Sequence, residues 1–235
     1  MEFVHVRLQA PAPSLPALAD FYGSRLGMPG VEATDRSVAF ALGETRLEFA
    51  PSAPRPFYHF ALLAPGNRFP ELLDWACGRA DLLPDADTGE AVFDFSNWEA
   101  HACYFHDPAG NIVELIAHRG VGEKTGRGPF APGELLGVSE LGLVGDTAAL
   151  AQALGARLGL EVWEGTVEDE GRLAFVGEKA RTLILCPTGR PWLPTGRPAE
   201  AHPVEAVLSG APEGELRTDG DRYRIRREER RAATP

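Results

Sequence analysis

The chain consists mostly of short stretches in which apolar and polar residues alternate, and helical periodicity interrupts them three times. Residues 3–9 alternate in this way and predict a β-strand, because successive strand side chains point to opposite faces. A helix that Ser14 can cap should follow, with an apolar face made of Leu15, Leu18, Tyr22 and Leu26. Strands predicted near 31–34, 37–42 and 45–50 complete the order β-α-β-β-β.

The same order of elements recurs along the chain. The second pass has a strand at 57–63, a helix from about Phe69, and strands near 90–95, 102–106 and 112–117. The third has a strand at 136–144, a helix capped by Asp146, and strands near 161–166, 172–177 and 181–186. A fourth, shorter piece begins near Val204 and ends in a strand at 222–227, with 210–214, rich in Gly and Pro, where its helix should be.

These repeats predict an α+β fold of four βαβββ-type modules, the last of them degenerate. The modules divide into an N-terminal half, 1–118, with modules 1–55 and 56–118, and a degenerate C-terminal half, 135–235. Residues 119–134 contain five glycines and no apolar periodicity, which is typical of a linker.

A tight turn is predicted at the end of the second module. Residues 107–111, Asp-Pro-Ala-Gly-Asn, combine a turn-opening Asp, a Pro with fixed φ, and Gly and Asn that tolerate positive φ. The flanking runs then form a β-hairpin. Glu114 lies in its second strand between Ile112 and Ile116, where an unpaired carboxylate is costly.

This hairpin resembles the end of a module in the vicinal-oxygen-chelate superfamily, which contains the glyoxalases, bleomycin-resistance proteins and extradiol dioxygenases. The resemblance rests on an Asp-Pro-x-Gly turn followed by a strand whose Glu binds a divalent metal, here 107–110 and Glu114. It implies that each pair of modules curls its sheets into a cup-like half-barrel. Metal ligands then point inward from the first and last strands of each module.

The resemblance places four ligand-type residues at those strand positions in the N-terminal half: His5, Glu48, His59 and Glu114. Two imidazoles and two carboxylates suit one divalent ion such as Zn, Ni, Mn, Fe or Co. The order His, Glu, His, Glu resembles glyoxalase I in particular, whereas extradiol dioxygenases keep His, His and Glu. The direction in which Glu48 points therefore discriminates between the two.

The C-terminal half does not repeat this ligand set. When the modules are aligned, Glu140 is roughly equivalent to His5, and Ile184 is roughly equivalent to Glu48. An Arg-rich strand is equivalent to the strand of Glu114. We therefore expect the N-terminal half to carry the metal, and the other half to be structural or to shape the pocket.

Two further residues are candidates for acid–base or substrate contact, Tyr104 and His101, although they cannot share one face of a regular strand. Either Glu48 or Glu114 could also leave the metal to act as a base. The loop at 191–194, Pro-Trp-Leu-Pro, could cover the cup or pack between the halves, and packing is the favoured interpretation.

Three functions are compatible with this pattern. The first is a glyoxalase I-type lyase or isomerase that acts on a small substrate with vicinal oxygens through a metal-bound enediolate. The second is an Fe(II) extradiol-type ring-cleaving dioxygenase that uses His5, His59 and Glu114. The third is a non-catalytic, bleomycin-resistance-like protein that binds a small molecule.

Composition narrows the partners. A net charge of −11 disfavours nucleic acid or an anionic membrane as the main partner, and no signal peptide or membrane-spanning run is predicted. The three cysteines lack disulfide or metal spacing and are interpreted as small buried side chains of a reducing compartment. We expect a cytoplasmic protein with a small-molecule substrate; a homodimer is possible but is not needed to complete a cup.

Overall fold

The computed structural model describes residues 1–34, 36–126, 128–169 and 171–229. Three helices are present among them: α1 (Leu15–Ala19), which continues as a π-helical turn over Asp20–Arg25, α2 (Phe69–Cys77) and α3 (Thr147–Leu158). The strands are β1 (Glu2–Pro11), β2 (Glu32–Ala33), β3 (Val38–Leu42), β4 (Thr45–Ser52), β5 (His59–Ala64), β6 (Phe93–Phe95), β7 (Ala100–His106), β8 (Ile112–His118), β9 (Gly137–Val144), β10 (Val162–Gly165), β11 (Ala174–Glu178), β12 (Arg181–Cys186), β13 (Pro191–Trp192), β14 (Arg197–Pro198), β15 (Val204–Ser209), β16 (Gly214–Arg217) and β17 (Tyr223–Glu228).

The predicted succession of elements is confirmed, including the fourth piece without a helix. Asp146 caps α3 by accepting a hydrogen bond from the amide of Ala149 at 2.9 Å. The prediction that Ser14 caps the first helix is wrong in detail, because its hydroxyl donates to the carbonyl of Pro11 instead. None of the described helices has the length and apolarity needed to cross a lipid bilayer.

Two curled, mixed sheets make up the molecule. Sheet A has the order β16-β17-β15-β1-β4-β3-β2, and sheet B has the order β10-β11-β12-β9-β5-β8-β7-β6. The small pair β13-β14 stands apart from both. The fold is therefore α+β, as the repeats predict.

The sheets join modules across the two predicted halves, and the expectation that modules 1 and 2 share a cup is wrong. At the centre of sheet A, β1 of the first module pairs antiparallel with β15 of the fourth. At the centre of sheet B, β5 of the second module pairs antiparallel with β9 of the third. The repeats define the modules but do not encode which first strands pair, because every first strand has a similar apolar pattern.

One large core lies between the two sheets and the helices. Phe3, Val6 and Leu8 enter it from sheet A, and Phe60 and Leu62 enter it from sheet B. The opposite face of sheet B carries a second apolar cluster that includes Tyr104 and Trp192. Because strand side chains alternate, residues of β5 serve both clusters, and His59 lies on the face of the second one.

The predicted turn at 107–111 is confirmed, and buried hydrogen bonds fix it. The Asp107 carboxylate accepts hydrogen bonds from the amides of Ala109 and Asn111, the side-chain amide of Asn111 and the hydroxyl of Tyr22, at 2.7–3.0 Å. Gly110 has a φ of +85°, which L-residues rarely adopt. This turn sets the register of β7 and β8, and with it the position of Glu114.

The three cysteines are free, as predicted, and Cys103 and Cys186 are buried. Cys77 is exposed at the end of α2, so the expectation of burial is wrong for that residue.

Candidate metal centre

Three ligand-type side chains converge on the face of sheet B that carries the second apolar cluster: His59 on β5, Glu114 on β8 and Glu140 on β9. Strand β5 lies between the other two, and Ala61 is the register partner of both Glu114 and Glu140. The small side chain of Ala61 leaves space between the two carboxylates. Ligand atoms of the three residues all lie within 4.8 Å of one another, and all three residues are buried.

The ring of His59 is held in one orientation. Its Nδ1 lies 3.2 Å from the carbonyl oxygen of Ile112, which can only accept a hydrogen bond, so Nδ1 carries the proton. Burial lowers the pKa of His59 from 6.5 to about 4, so the ring is neutral at physiological pH. The unprotonated Nε2 then points at Glu114 Oε2, 3.4 Å away.

The two carboxyl groups lie in an environment that disfavours their charge. Burial raises the pKa of Glu140 from 4.5 to about 8. Burial and the nearby charge of Glu140 raise the pKa of Glu114 well above its ordinary value, while a hydrogen bond from Tyr104 opposes that rise. Among the described residues, no side chain donates a hydrogen bond to Glu140.

These residues fit a divalent cation. An imidazole nitrogen lone pair facing a carboxylate oxygen is a repulsive contact unless a proton or a cation lies between them. A hydrogen bond from Nδ1 to a backbone carbonyl is the usual second contact of a ligating His. One nitrogen and two carboxylates leave coordination positions open, as catalytic sites do.

A narrow pocket of about 100 Å³ opens over the three residues. Its walls are apolar and largely aromatic, and they comprise Phe95, Trp98, Tyr104, Leu173, Phe175, Ile184, Trp192 and Leu193, with Arg190 at the edge. Ile184 occupies the position that the resemblance assigns to a fourth ligand, so three candidate ligand side chains lie at this pocket among the described residues.

Trp192 and Leu193 of the segment 191–194 cover this pocket, and the Trp192 ring also packs between the two predicted halves, against His59 of the first and Gly142 of the second. The ring of Trp192 lies on His59 with centroids 4.8 Å apart. A Cβ on Gly142 would lie 3.1 Å from the Trp192 ring, so glycine at this position allows the indole to approach the sheet. Trp192 is buried, whereas neighbouring Leu193 is half exposed at 51%.

The predicted quartet is divided between two sheets and does not form one site. His5 and Glu48 meet on sheet A, with Nε2 and Oε2 3.2 Å apart. Arg7 and Arg46 lie 3.3 and 4.0 Å from the Glu48 carboxylate, so this carboxylate already has cationic partners. In the described part of the chain, the only group of three or more His, Cys, Asp or Glu with converging ligand atoms is the one on sheet B.

Of the two other candidates, only Tyr104 lies at the site. Its hydroxyl donates to Glu114, and its ring packs edge-on against Phe93. His101 is exposed on the other face of β7 and lies against the ring of Phe69 in α2. The alternation of β7 separates the two.

The sequence-based assignment did not include Glu140 among the candidate ligands. Its signal was present, because Glu140 lies within the apolar run of β9 at the position that matches His5 in the first module. The assumption that a cup forms within each half concealed its partnership with His59 and Glu114.

Comparison with solved structures connects this architecture to known proteins. Glyoxalase I from Zea mays superposes with a TM-score of 0.56 at 12% sequence identity, over 97% of this chain and 92% of that chain. A "putative dioxygenase" from Bacillus subtilis subsp. subtilis str. 168 superposes with a TM-score of 0.60 at 16% identity, over 97% of this chain and 85% of that chain. No protein-family model and no curated protein matches the sequence. The chain therefore has the vicinal-oxygen-chelate fold.

Proposed function

We propose that this chain is a divalent-metal-dependent enzyme that acts on a small substrate with two adjacent oxygens. Its ion would be held by His59, Glu114 and Glu140. The observation that carries the proposal is the convergence of three buried ligand groups at the base of an aromatic pocket. Two buried carboxylates without a cation would be costly at neutral pH, so a structural role alone does not account for them.

The chemistry that we assign is proton transfer of the glyoxalase I type, that is, lyase or isomerase activity. A divalent ion here would supply Lewis acidity to a carbonyl or hydroxyl oxygen. Tyr104 donates to Glu114 and thereby holds that carboxylate in place. Glu140 accepts no hydrogen bond from a described side chain, so its carboxylate oxygen is the better candidate to take up and return a substrate proton.

Exclusion of water supports the same assignment. Trp192 and Ile184 are both buried over the site, and the pocket is narrow. Proton transfer beside a carbonyl benefits from such an environment, because charges in the site are poorly screened.

An extradiol-type dioxygenase is the second candidate, and one observation favours it. Glu48 lies on the other sheet and Ile184 fills the fourth position, so three ligands remain, with Tyr104 beside them. The ligand set nevertheless contains one His and two Glu, whereas non-haem Fe(II) oxygenases use two His and one carboxylate.

The test is metal content measured by inductively coupled plasma mass spectrometry on protein purified without chelator. We expect about one divalent ion per chain in wild type, and loss of that ion in His59→Ala and Glu140→Gln. His5→Ala and Glu48→Gln are matched controls, since the same residue types pair on sheet A, and both should keep the ion. Metal loss in the sheet A variants, or retention in the sheet B variants, would overturn the assignment.

Two activity assays then separate the candidate reactions. Proton exchange from an α-hydroxycarbonyl or ketoaldehyde adduct into deuterated water, with no oxygen consumption, would support the lyase or isomerase. Oxygen uptake by the iron-loaded protein with a catechol would replace it with the dioxygenase. A protein that takes up none of Zn, Ni, Mn, Fe or Co would be a small-molecule binding protein instead.

A further inference from the structure

Arg190 occupies a distinctive position at the mouth of the pocket. It lines the pocket above His59, Glu114 and Glu140. It also lines a wider outer groove, whose other charged residues are Arg172, Asp94 and Glu164. It is the single cationic side chain among the described residues of the inner pocket, whose other walls are apolar apart from Tyr104 and the three ligand groups.

The guanidinium of Arg190 is positioned without a described acidic partner. Nε donates to the carbonyl of Gly171 at 3.0 Å, and Nη1 donates to the carbonyl of Pro191 at 3.1 Å. Its charge also acts on the nearby Cys186 thiol. By contrast, buried Arg68 forms ion pairs with both Glu71 and Glu134.

This arrangement favours an anionic ligand group. In a chain with an excess of 11 acidic residues, an arginine held by neutral carbonyls and without an ion pair to a described carboxylate can pair with an anionic ligand group. Its fork geometry matches a planar carboxylate. The aromatic walls and the small volume suit a flat group the size of one ring rather than a large ligand.

We propose that Arg190 is a specificity residue that selects a small, planar substrate bearing a carboxylate, with its adjacent oxygens directed to the three ligand residues. The inference rests on the proposed function, since it takes the pocket over His59, Glu114 and Glu140 to be the substrate site. Arg190 would set the orientation of the substrate by pairing with the carboxylate at the pocket mouth, and a neutral analogue of the same shape would lack that contact.

Isothermal titration calorimetry of the zinc-loaded protein tests this, with 3,4-dihydroxybenzoate and its neutral amide, 3,4-dihydroxybenzamide, as probes. Zinc does not turn over the probes, so binding is read without activity. The acid should bind at least about ten-fold more tightly than the amide, as expected for a charge-assisted hydrogen bond. Arg190→Gln should abolish that preference by weakening the acid alone. Arg36→Gln, at an exposed arginine between β2 and β3, should keep it.

The other outcomes distinguish failure of this inference from failure of the proposed function. Three results would each overturn the role of Arg190. They are equal affinities of wild type for the acid and the amide, an unchanged preference for the acid in Arg190→Gln, and no binding of the acid. Metal content is measured on the same samples. Normal zinc content without an acid preference would reject the inference alone. Wild-type protein could also take up no zinc and still prefer the acid to the amide, with the preference lost in Arg190→Gln. That result would reject the metal enzyme and keep the anion site.

Discussion

Replacing Glu140 by Gln should stabilise the metal-free protein, and the gain should increase with pH. Burial raises the pKa of Glu140 from 4.5 to about 8, so the folded state holds this proton more tightly than the unfolded state does. The contribution of Glu140 to the free energy of unfolding is therefore fully present below its pKa in the unfolded chain, 4.5. It is lost as the pH rises through its pKa in the folded protein, about 8. Gln is neutral throughout and does not suffer this loss.

The magnitude follows from the shift. Each pKa unit corresponds to about 1.4 kcal/mol, so between pH 5 and pH 8 wild type should lose about 3 to 4 kcal/mol relative to Glu140→Gln. For a chain of this length that difference corresponds to roughly 10 °C in the melting temperature. Glu48→Gln is the matched control. It removes a carboxylate paired with arginines on sheet A, so it should cost up to about 1 kcal/mol rather than stabilise.

Thermal unfolding followed by circular dichroism, on chelator-treated protein at pH 5 and pH 8, measures this difference. Addition of zinc at about 100 times its dissociation constant should then stabilise wild type by about 2.7 kcal/mol and leave Glu140→Gln unchanged. Equal destabilisation by Glu140→Gln at both pH values would refute the reasoning, because the carboxyl group would then not be a buried, charge-disfavoured one.

Two further predictions concern buried polar residues outside the ligand set. Asp107→Ala should lower the free energy of unfolding by about 3 kcal/mol in urea titrations, because it leaves the buried donors of Asn111 and Tyr22 without their acceptor. Pro54→Ala, in an exposed loop, is the control. A loss below about 1 kcal/mol in Asp107→Ala would contradict the role of the turn. His118 is buried beside Trp98 with a pKa lowered to about 4, first by burial and then by Lys179, so its stabilising contribution is present above pH 6.5 and is lost as pH falls toward 4. His118→Phe should therefore gain about 2 kcal/mol relative to wild type between pH 7 and pH 4.5 in the same titrations, and a parallel pH dependence of the two proteins would show that His118 does not titrate in this range.

Local structure followed from the sequence because local chemistry determines it. The turn at 107–111 needed only Asp, Pro, Gly and Asn in order, and the cap at Asp146 needed only a carboxylate before a helical run. His59 and Glu114 could be recognised for a similar reason, since a polar side chain in the middle of an apolar strand requires a partner.

The pairing of modules did not follow from the sequence. On apolar pattern alone, strand β1 could pair with β5, as a cup within the N-terminal half requires, or with β15, as the structure shows. That choice decides which candidate ligands lie together. It separates His5 and Glu48 from His59 and Glu114 and brings Glu140 to the latter pair. The sequence left open whether Trp192 covers the pocket, because a short loop gives no periodic signal for the surface against which it packs.

The most direct test of the central claim is the location of a bound ion. Crystals grown with zinc, with anomalous data collected on both sides of the zinc absorption edge, should show one strong peak on sheet B. That peak should lie about 2.0–2.2 Å from His59 Nε2 and from carboxylate oxygens of Glu114 and Glu140. A peak between His5 and Glu48 on sheet A, or a fully soaked crystal with no peak at either place, would contradict the account.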